Sequence, residues 1–213
     1  ANKVMEDSMK EFTEKNGTKG APCDIKVGKV VAALFDGSWY RAKITEKKDK
    51  EVEVLYIDHG NLDVVKASTH LRPLDDELGT DKIPPVAKEA QLICTIVRST
   101  EDDYGFDAAR ELNSLAWGKE LTARSHCELE GKMHVTLIDP SDDKTSINEK
   151  MVAAGLARVP KPAEVNHLAK RLRSGGDVKK LAAKLTTAQE GARTSRAGMW
   201  RYGDIGDDDD EDF

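Results

Sequence analysis

Two periods of apolar spacing run along the chain, one near two residues and one near three and a half. Residues 28–35 and 39–45 are short runs rich in Val, Phe, Trp, Tyr and Ile, and the Asp36-Gly37-Ser38 between them is a strong hairpin signal. Residues 51–57 alternate charged and apolar side chains and end in Asp58-His59-Gly60-Asn61, where Gly60 and Asn61 tolerate positive φ, so residues 62–66 read as a return strand. The pattern predicts a four-strand meander, ended by Pro73, that bends enough to close into a small barrel. Ahead of it, residues 1–16 carry a helical stripe of Val4, Met5, Met9 and Phe12 stopped by Gly17. The later part mixes the two periods. A strand at 90–97 precedes a helix at 107–117 with Ala108, Leu112, Leu115 and Ala116 on one face; a hairpin over 120–128 and 133–139 turns at Glu130-Gly131-Lys132; a short helix at 146–154 ends at Gly155. Residues 160–176 hold a helical turn or two with Leu168 and Leu172, broken by Gly175-Gly176, after which Asp177 caps a helix with Val178, Leu181, Leu185, Ala188 and Ala192 on its inner face.

Composition narrows the classes. With 213 residues and 38% hydrophobic content there is material for one large core or two small ones. Apolar runs are far shorter than the roughly 18 residues that cross a bilayer and no signal-peptide pattern opens the chain, so we expect no membrane contact and a cytoplasmic, or also nuclear, location. The start at Ala1 reads as that of a fragment. Cys23, Cys94 and Cys127 lack C-x-x-C spacing, and His70, His126, His134 and His167 lack ligand spacing, so neither a disulfide framework nor a metal is expected, and no cofactor.

The formal charge of −6 is unevenly spread. Between Arg158 and Arg201 eleven Lys and Arg face three acids, and seven acids follow between Asp204 and Asp212. Lys179, Lys180, Lys184, Arg193 and Arg196 fall largely away from the apolar face of the last helix, which makes them candidate RNA contacts with the acidic tail as a built-in competitor. An ordinary solvated helix face with a disordered solubilising tail explains the same charges. Trp200 and Tyr202 are expected to pack back onto the fold rather than stack on bases.

The candidate site sits on the meander. Leu34, Tyr40, Tyr56 and His59 lie at strand ends beside the two turns and can converge at one rim, with Asn61 adding a hydrogen bond. Aromatic faces attract a cation within about 6 Å, and methylation eases its desolvation while keeping its charge. Arg41 is expected to pair with Asp58, and Trp39 to pack against the neighbouring subdomain.

The run Trp39-Tyr40-Arg41-Ala42 followed by Tyr56-Ile57-Asp58-His59-Gly60-Asn61 resembles the Tudor domain, whose usual form is W-Y-R-A then Y-I-D-Y-G-N. Residues 148–159, from Asn148-Glu149 to Gly155-Leu156-Ala157-Arg158-Val159, are similar to the N-E-x-L/M-V-x-x-G-L-A-x-V element of staphylococcal-nuclease-like domains, and residues 188–204 resemble that fold's last helix and its Trp close at Trp200. In this order the motifs resemble the C-terminal part of the Tudor staphylococcal nuclease family. The resemblance implies an α+β, mainly β chain: a helix and linker at 1–22, a Tudor barrel at 23–79, a truncated nuclease-like (OB-fold) subdomain at 80–203 and an acidic tail at 204–213. It implies a monomeric binding module for dimethylarginine peptides of RNA-processing proteins, with RNA as the alternative ligand. For the cage it implies four aromatics and an asparagine; Leu34 stands where an aromatic is usual, with Phe35 one place along, and His59 where a tyrosine is usual. For the longer protein it implies upstream nuclease repeats with ribonuclease action, a place in the RNA-induced silencing complex and transcriptional co-activation. Catalysis by this stretch is not expected, because the early strands that carry a nuclease's first carboxylate and arginine are absent or replaced. Asp139, Asp142 and Asp143 form only an acidic turn.

Overall fold

The computed structural model describes residues 2–172 and 175–203, so the acidic tail lies outside the described residues. The chain divides after Glu89 into two compact units.

The first unit opens with α1 (Asn2–Asn16), which buries Met5, Met9 and Phe12, leaves Val4 exposed and ends at Gly17 with φ +58. The meander follows as β1 (Val30–Phe35), β2 (Ser38–Lys48), β3 (Glu51–Tyr56) and β4 (Leu62–Lys66), all antiparallel. Asp36 and Gly37 take φ +43 and +76, the double left-handed geometry of a two-residue hairpin turn whose twist matches the strands. Beyond the expected four strands, a helical turn α2 (Ala67–His70) leads into β5 (Leu71–Arg72), which pairs with β1 and gives the order β4-β3-β2-β1-β5. Val65 on one edge strand and Leu71 on the other join the same core as Val31, Ala33, Ala42, Ile44, Val52, Val54 and Tyr56, so the sheet curls round a single apolar centre.

Strand alternation sends Ala32, Leu34 and Trp39 to the opposite face, where they meet Met5, Met9 and Phe12 of α1. Trp39 therefore packs on the N-terminal helix, not on a neighbouring subdomain: it is 1% exposed, its backbone N–H donates to Thr13 Oγ1 at 3.0 Å and its indole N–H to the Gly17 carbonyl. Arg41, next on that face and 1% exposed, forms the expected pair with Asp58. The fork is bidentate, Nε to Oδ2 at 2.8 Å and Nη2 to Oδ1 at 2.6 Å, and the remaining N–H groups reach the carbonyls of Leu78, Ile83 and Pro84. All five guanidinium donors are thereby used, and the segment after β5 is pinned to the sheet.

In the second unit β6 (Ala90–Leu92) runs parallel to β8 (Lys132–Ile138), which pairs antiparallel with β7 (Thr122–Leu129). The strand expected to reach residue 97 stops at Leu92, since Cys94 takes φ +56, and Ile96 makes only an isolated bridge to Arg158. Helices α3 (Gly105–Ala116), α4 (Ile147–Ala153), α5 (Pro162–Lys170) and α6 (Gly175–Thr194) accompany this sheet, and Ile93, Ile147, Met151, Val152, Val178 and Leu185 form the centre of the core. Ser146 caps α4 by accepting from Glu149 N–H at 3.2 Å. Asn148, fully buried, donates to the Ile93 and Val135 carbonyls and accepts from Leu137 N–H, tying α4 to β8 and to the residue after β6. Helix α6 begins at Gly175, so Gly175-Gly176 sit in its first turn and Asp177 lies inside it instead of capping it. A Cβ on Gly175 would come within 2.1 Å of the Ala169 carbonyl, and this close approach to α5 is what the glycine permits. Trp200 packs back with Ala192 and Met199 at 3% exposure, whereas Tyr202, expected to do the same, is 86% exposed. The architecture is α+β: a five-stranded antiparallel sheet, then a small sheet with helices.

Candidate functional site

The inward stripe of the first sheet continues past its aliphatic residues into rings. Ala33 pairs with Tyr40 across the hairpin, so Phe35, two residues beyond Ala33, stands on the same face as Tyr40. Tyr56 closes β3, and the turn after it carries His59. Centroids lie 6.1 Å apart for Phe35 and Tyr56, 5.9 Å for Tyr40 and Tyr56, and 5.2 Å for Tyr40 and His59, each pair edge to face. Three of the expected cage residues, Tyr40, Tyr56 and His59, are thus brought together. Leu34 is not: it packs toward α1, and the fourth ring is Phe35. The physical reason is the two-residue period of β1, which sends neighbouring side chains to opposite faces, so a one-place offset in matching the motif exchanges a core residue for a rim residue. Reading the register outward from the Asp36-Gly37 turn is the signal that identifies Phe35.

Asn61 is exposed in the turn, and its backbone carbonyl accepts from Tyr56 N–H at 2.9 Å. Tyr56 is 2% exposed and its hydroxyl, enclosed, finds no partner in good geometry. Burial, and after it the nearby Asp63 carboxylate, pushes this phenol up to about 12. Two clefts border the rings. One, of about 500 Å³, includes Tyr40 and His59 with Glu6, Glu14, Lys10 and the paired Asp58 and Arg41; the other, of about 350 Å³, includes Phe35 with Asp36, Glu51 and Asp63 against Lys66, so acids outnumber bases in both. Aromatic walls edged by carboxylates suit a cation carried on a basic peptide.

The candidate nucleic-acid residues separate into two groups. Lys179 and Arg193 line a cleft between α5 and α6, with Arg193 also 3.2 Å from Glu190 and its guanidinium carbon 4.4 Å from the Trp200 ring centre. Lys184 is held by Glu149 at 2.6 Å and by the Lys144 carbonyl, while Lys180 and Arg196 are exposed. Among the described residues no group of three or more His, Cys, Asp or Glu is placed to hold a metal. Asp139 accepts from the backbone N–H and hydroxyl of Ser141, and Asp142 pairs with Lys150 at 2.8 Å; these contacts hold both carboxyls below their ordinary range. The three cysteines are free, and burial pushes Cys94 up to about 11. No helix of the described residues is long and apolar enough to cross a membrane.

The Tudor domain family model matches residues 2–93. The chain is 35% identical over 208 residues to Ribonuclease TUDOR 1 of Arabidopsis thaliana, an alignment covering 87% of this chain and 20% of that protein. The chain therefore spans about a fifth of the length of that relative. Among solved structures, the extended Tudor domain of Drosophila melanogaster Tudor-SN superposes with a TM-score of 0.75 at 25% identity, covering 93% of this chain and 86% of the other. The human TDRD1 extended Tudor domain, solved in complex with a symmetrically dimethylated peptide, superposes with a TM-score of 0.62 at 22% identity, over 74% and 77% of the two chains. This chain belongs to the Tudor-SN family, as its Tudor domain region, and has the extended Tudor fold.

Proposed function

We propose that the chain is a non-catalytic reader of dimethylarginine in basic peptides of RNA-processing proteins, and that Phe35, Tyr40, Tyr56 and His59 form the cage with Asn61 beside it. The contact of four rings at the end of the sheet's inner stripe carries this reading. Solved relatives of the same fold bound to dimethylarginine peptides support it. So do the carboxylates of the bordering clefts, which complement an arginine-rich ligand. The longer protein is, on this reading, a ribonuclease like the Arabidopsis relative, acting in cytoplasm or nucleus, with this stretch supplying recognition and not cleavage.

The rings meet edge to face, as adjacent walls of a cage do, with Phe35, 53% exposed, and His59, exposed, at its rim. Replacing His59 with Tyr adds a stronger cation-attracting face and is expected to tighten binding by roughly two- to thirtyfold.

An NMR titration with a symmetrically dimethylated arginine peptide and its unmethylated twin tests the proposal. The methylated peptide is expected to shift the amides of Tyr40, His59 and Asn61, and Phe35→Ala or Tyr40→Ala to remove the response while the spectrum stays folded. Absence of any shift at millimolar methylated peptide would sink the reading.

A further inference from the structure

A second cavity, of about 450 Å³, lies wholly within the second unit between α5 and α6. Its lining includes four cationic residues, Arg158, Lys161, Lys179 and Arg193, the last also paired with Glu190 beside the cavity, and no acid is among the described residues that line it. Its wall is apolar, formed by Val159, Pro160, Pro162, Val165 and Ala182. Gln189 accepts Val159 N–H on Oε1 at 2.7 Å, so what its side chain has left to offer is N–H donors. Trp200, 3% exposed, lines the same cavity, and its indole N–H is buried without an acceptor.

We infer that this cavity binds one nucleotide unit of a single-stranded nucleic acid, its phosphate held by the cationic rim and its base against the Val159-Pro160-Pro162 wall. Size, charge and wall agree on this class. A phosphate alone would leave the apolar wall idle, and an acidic peptide lacks a base-like ring to set against it while offering acceptors to Gln189. The site is separate from the Phe35–Tyr56 cage and does not depend on the reading of that cage. It gives Lys179 and Arg193 a role that Lys180 and Lys184, which do not line it, lack.

The test is an NMR titration of the whole chain with four probes: an oligouridylate of eight nucleotides, uridine monophosphate, inorganic phosphate and a phosphoserine peptide. The oligonucleotide is expected to shift the amides of Lys179, Thr186 and Gln189 and the indole N–H of Trp200, and the Lys161→Glu/Lys179→Glu double variant to weaken it at least tenfold. Neutralising the one phosphate held at the rim predicts a slope of log affinity against log salt of about −0.7. Uridine monophosphate shifting the same residues as strongly as the oligonucleotide assigns the site to free nucleotides, and a weaker response assigns it to the polymer; both uphold a nucleotide pocket. Inorganic phosphate binding as tightly as the nucleotide, tighter binding of the phosphoserine peptide, or no shift at these residues with any probe overturns it. A dimethylarginine peptide added afterwards should move only residues of the first unit, which keeps failure of the two sites distinguishable.

Discussion

Asp58→Ala removes both acceptors of the Arg41 fork while leaving the guanidinium where it is. Arg41 is 1% exposed, so its guanidinium has little access to solvent that could replace the lost carboxylate. Its Nε–H and one Nη2–H lose their partners at 2.8 and 2.6 Å, and the Val86 N–H loses its acceptor at 3.1 Å. Breaking one side of a buried pair costs about 3–5 kcal/mol, because the remaining charge stays desolvated. For a unit of this size each kcal/mol lowers the melting temperature by about 4–8 °C, so a drop of at least about 12 °C is expected. The assay is urea and thermal unfolding at neutral pH, repeated near 1 M salt, where a buried pair is barely screened and the loss should persist. Arg41→Met strands the opposite partner, leaving Asp58 buried beside the unpaired carbonyls of Leu78, Ile83 and Pro84. Combining the two substitutions should therefore cost less than the sum of the singles by about 2 kcal/mol or more. A loss under about 1 kcal/mol for Asp58→Ala, or strict additivity in the cycle, would refute the assignment of Arg41 as the buried hub of the first unit.

Three further outcomes are expected. Leu34→Ala should lower stability by about 1–2 kcal/mol and leave dimethylarginine binding unchanged, whereas Phe35→Ala should weaken binding with little effect on the unfolding midpoint; the reverse pattern would restore Leu34 to the cage. Tyr56 ionises later in the folded chain than in the unfolded one, so the unfolded state releases the proton first. Stability should then be unaffected below pH 10 and decline as pH rises toward about 12, a decline that Tyr56→Phe removes in pH-dependent urea titrations without lowering stability at pH 7. Asn148→Ala leaves the Leu137 N–H without its acceptor and removes one donor each from the Ile93 and Val135 carbonyls, which keep Thr95 Oγ1 and the Ile93 N–H, and calorimetry should show a loss of about 1–3 kcal/mol.

The parts of the fold legible in the sequence are those encoded by neighbouring residues. Asp36-Gly37 marks a turn because both residues must take positive φ, and Ser146 starts a helix because its hydroxyl reaches the N–H three residues on. The pairing of Leu71–Arg72 with β1, and the parallel alignment of Ala90–Leu92 with β8, depend on residues far away in the chain, and segments of two and three residues carry no period to announce them. Cys94 at φ +56 could not be foreseen, since a non-glycine residue there is held by its surroundings and not by its own preference. At the candidate site the residue types were legible and one position was not. Tyr40, Tyr56 and His59 meet as their strand ends require, and the fourth ring in contact is Phe35, beside the Leu34 that packs toward α1. Tyr202 and Trp200 look alike in composition, yet only Trp200 has Ala192 and Met199 to cover it.

The hairpin between β1 and β2 has a consequence for how such a site can change over evolutionary time. Gain or loss of one residue in β1 would rotate Leu34 inward to the rim and Phe35 outward toward α1, altering the core contact and the ring set in a single event. Because the Ala33–Tyr40 pair fixes both faces at once, insertions here are penalised twice. Ligand preference is therefore free to drift only by substitution at fixed positions, and the His59 turn and the tip of β1 are where such drift meets least resistance.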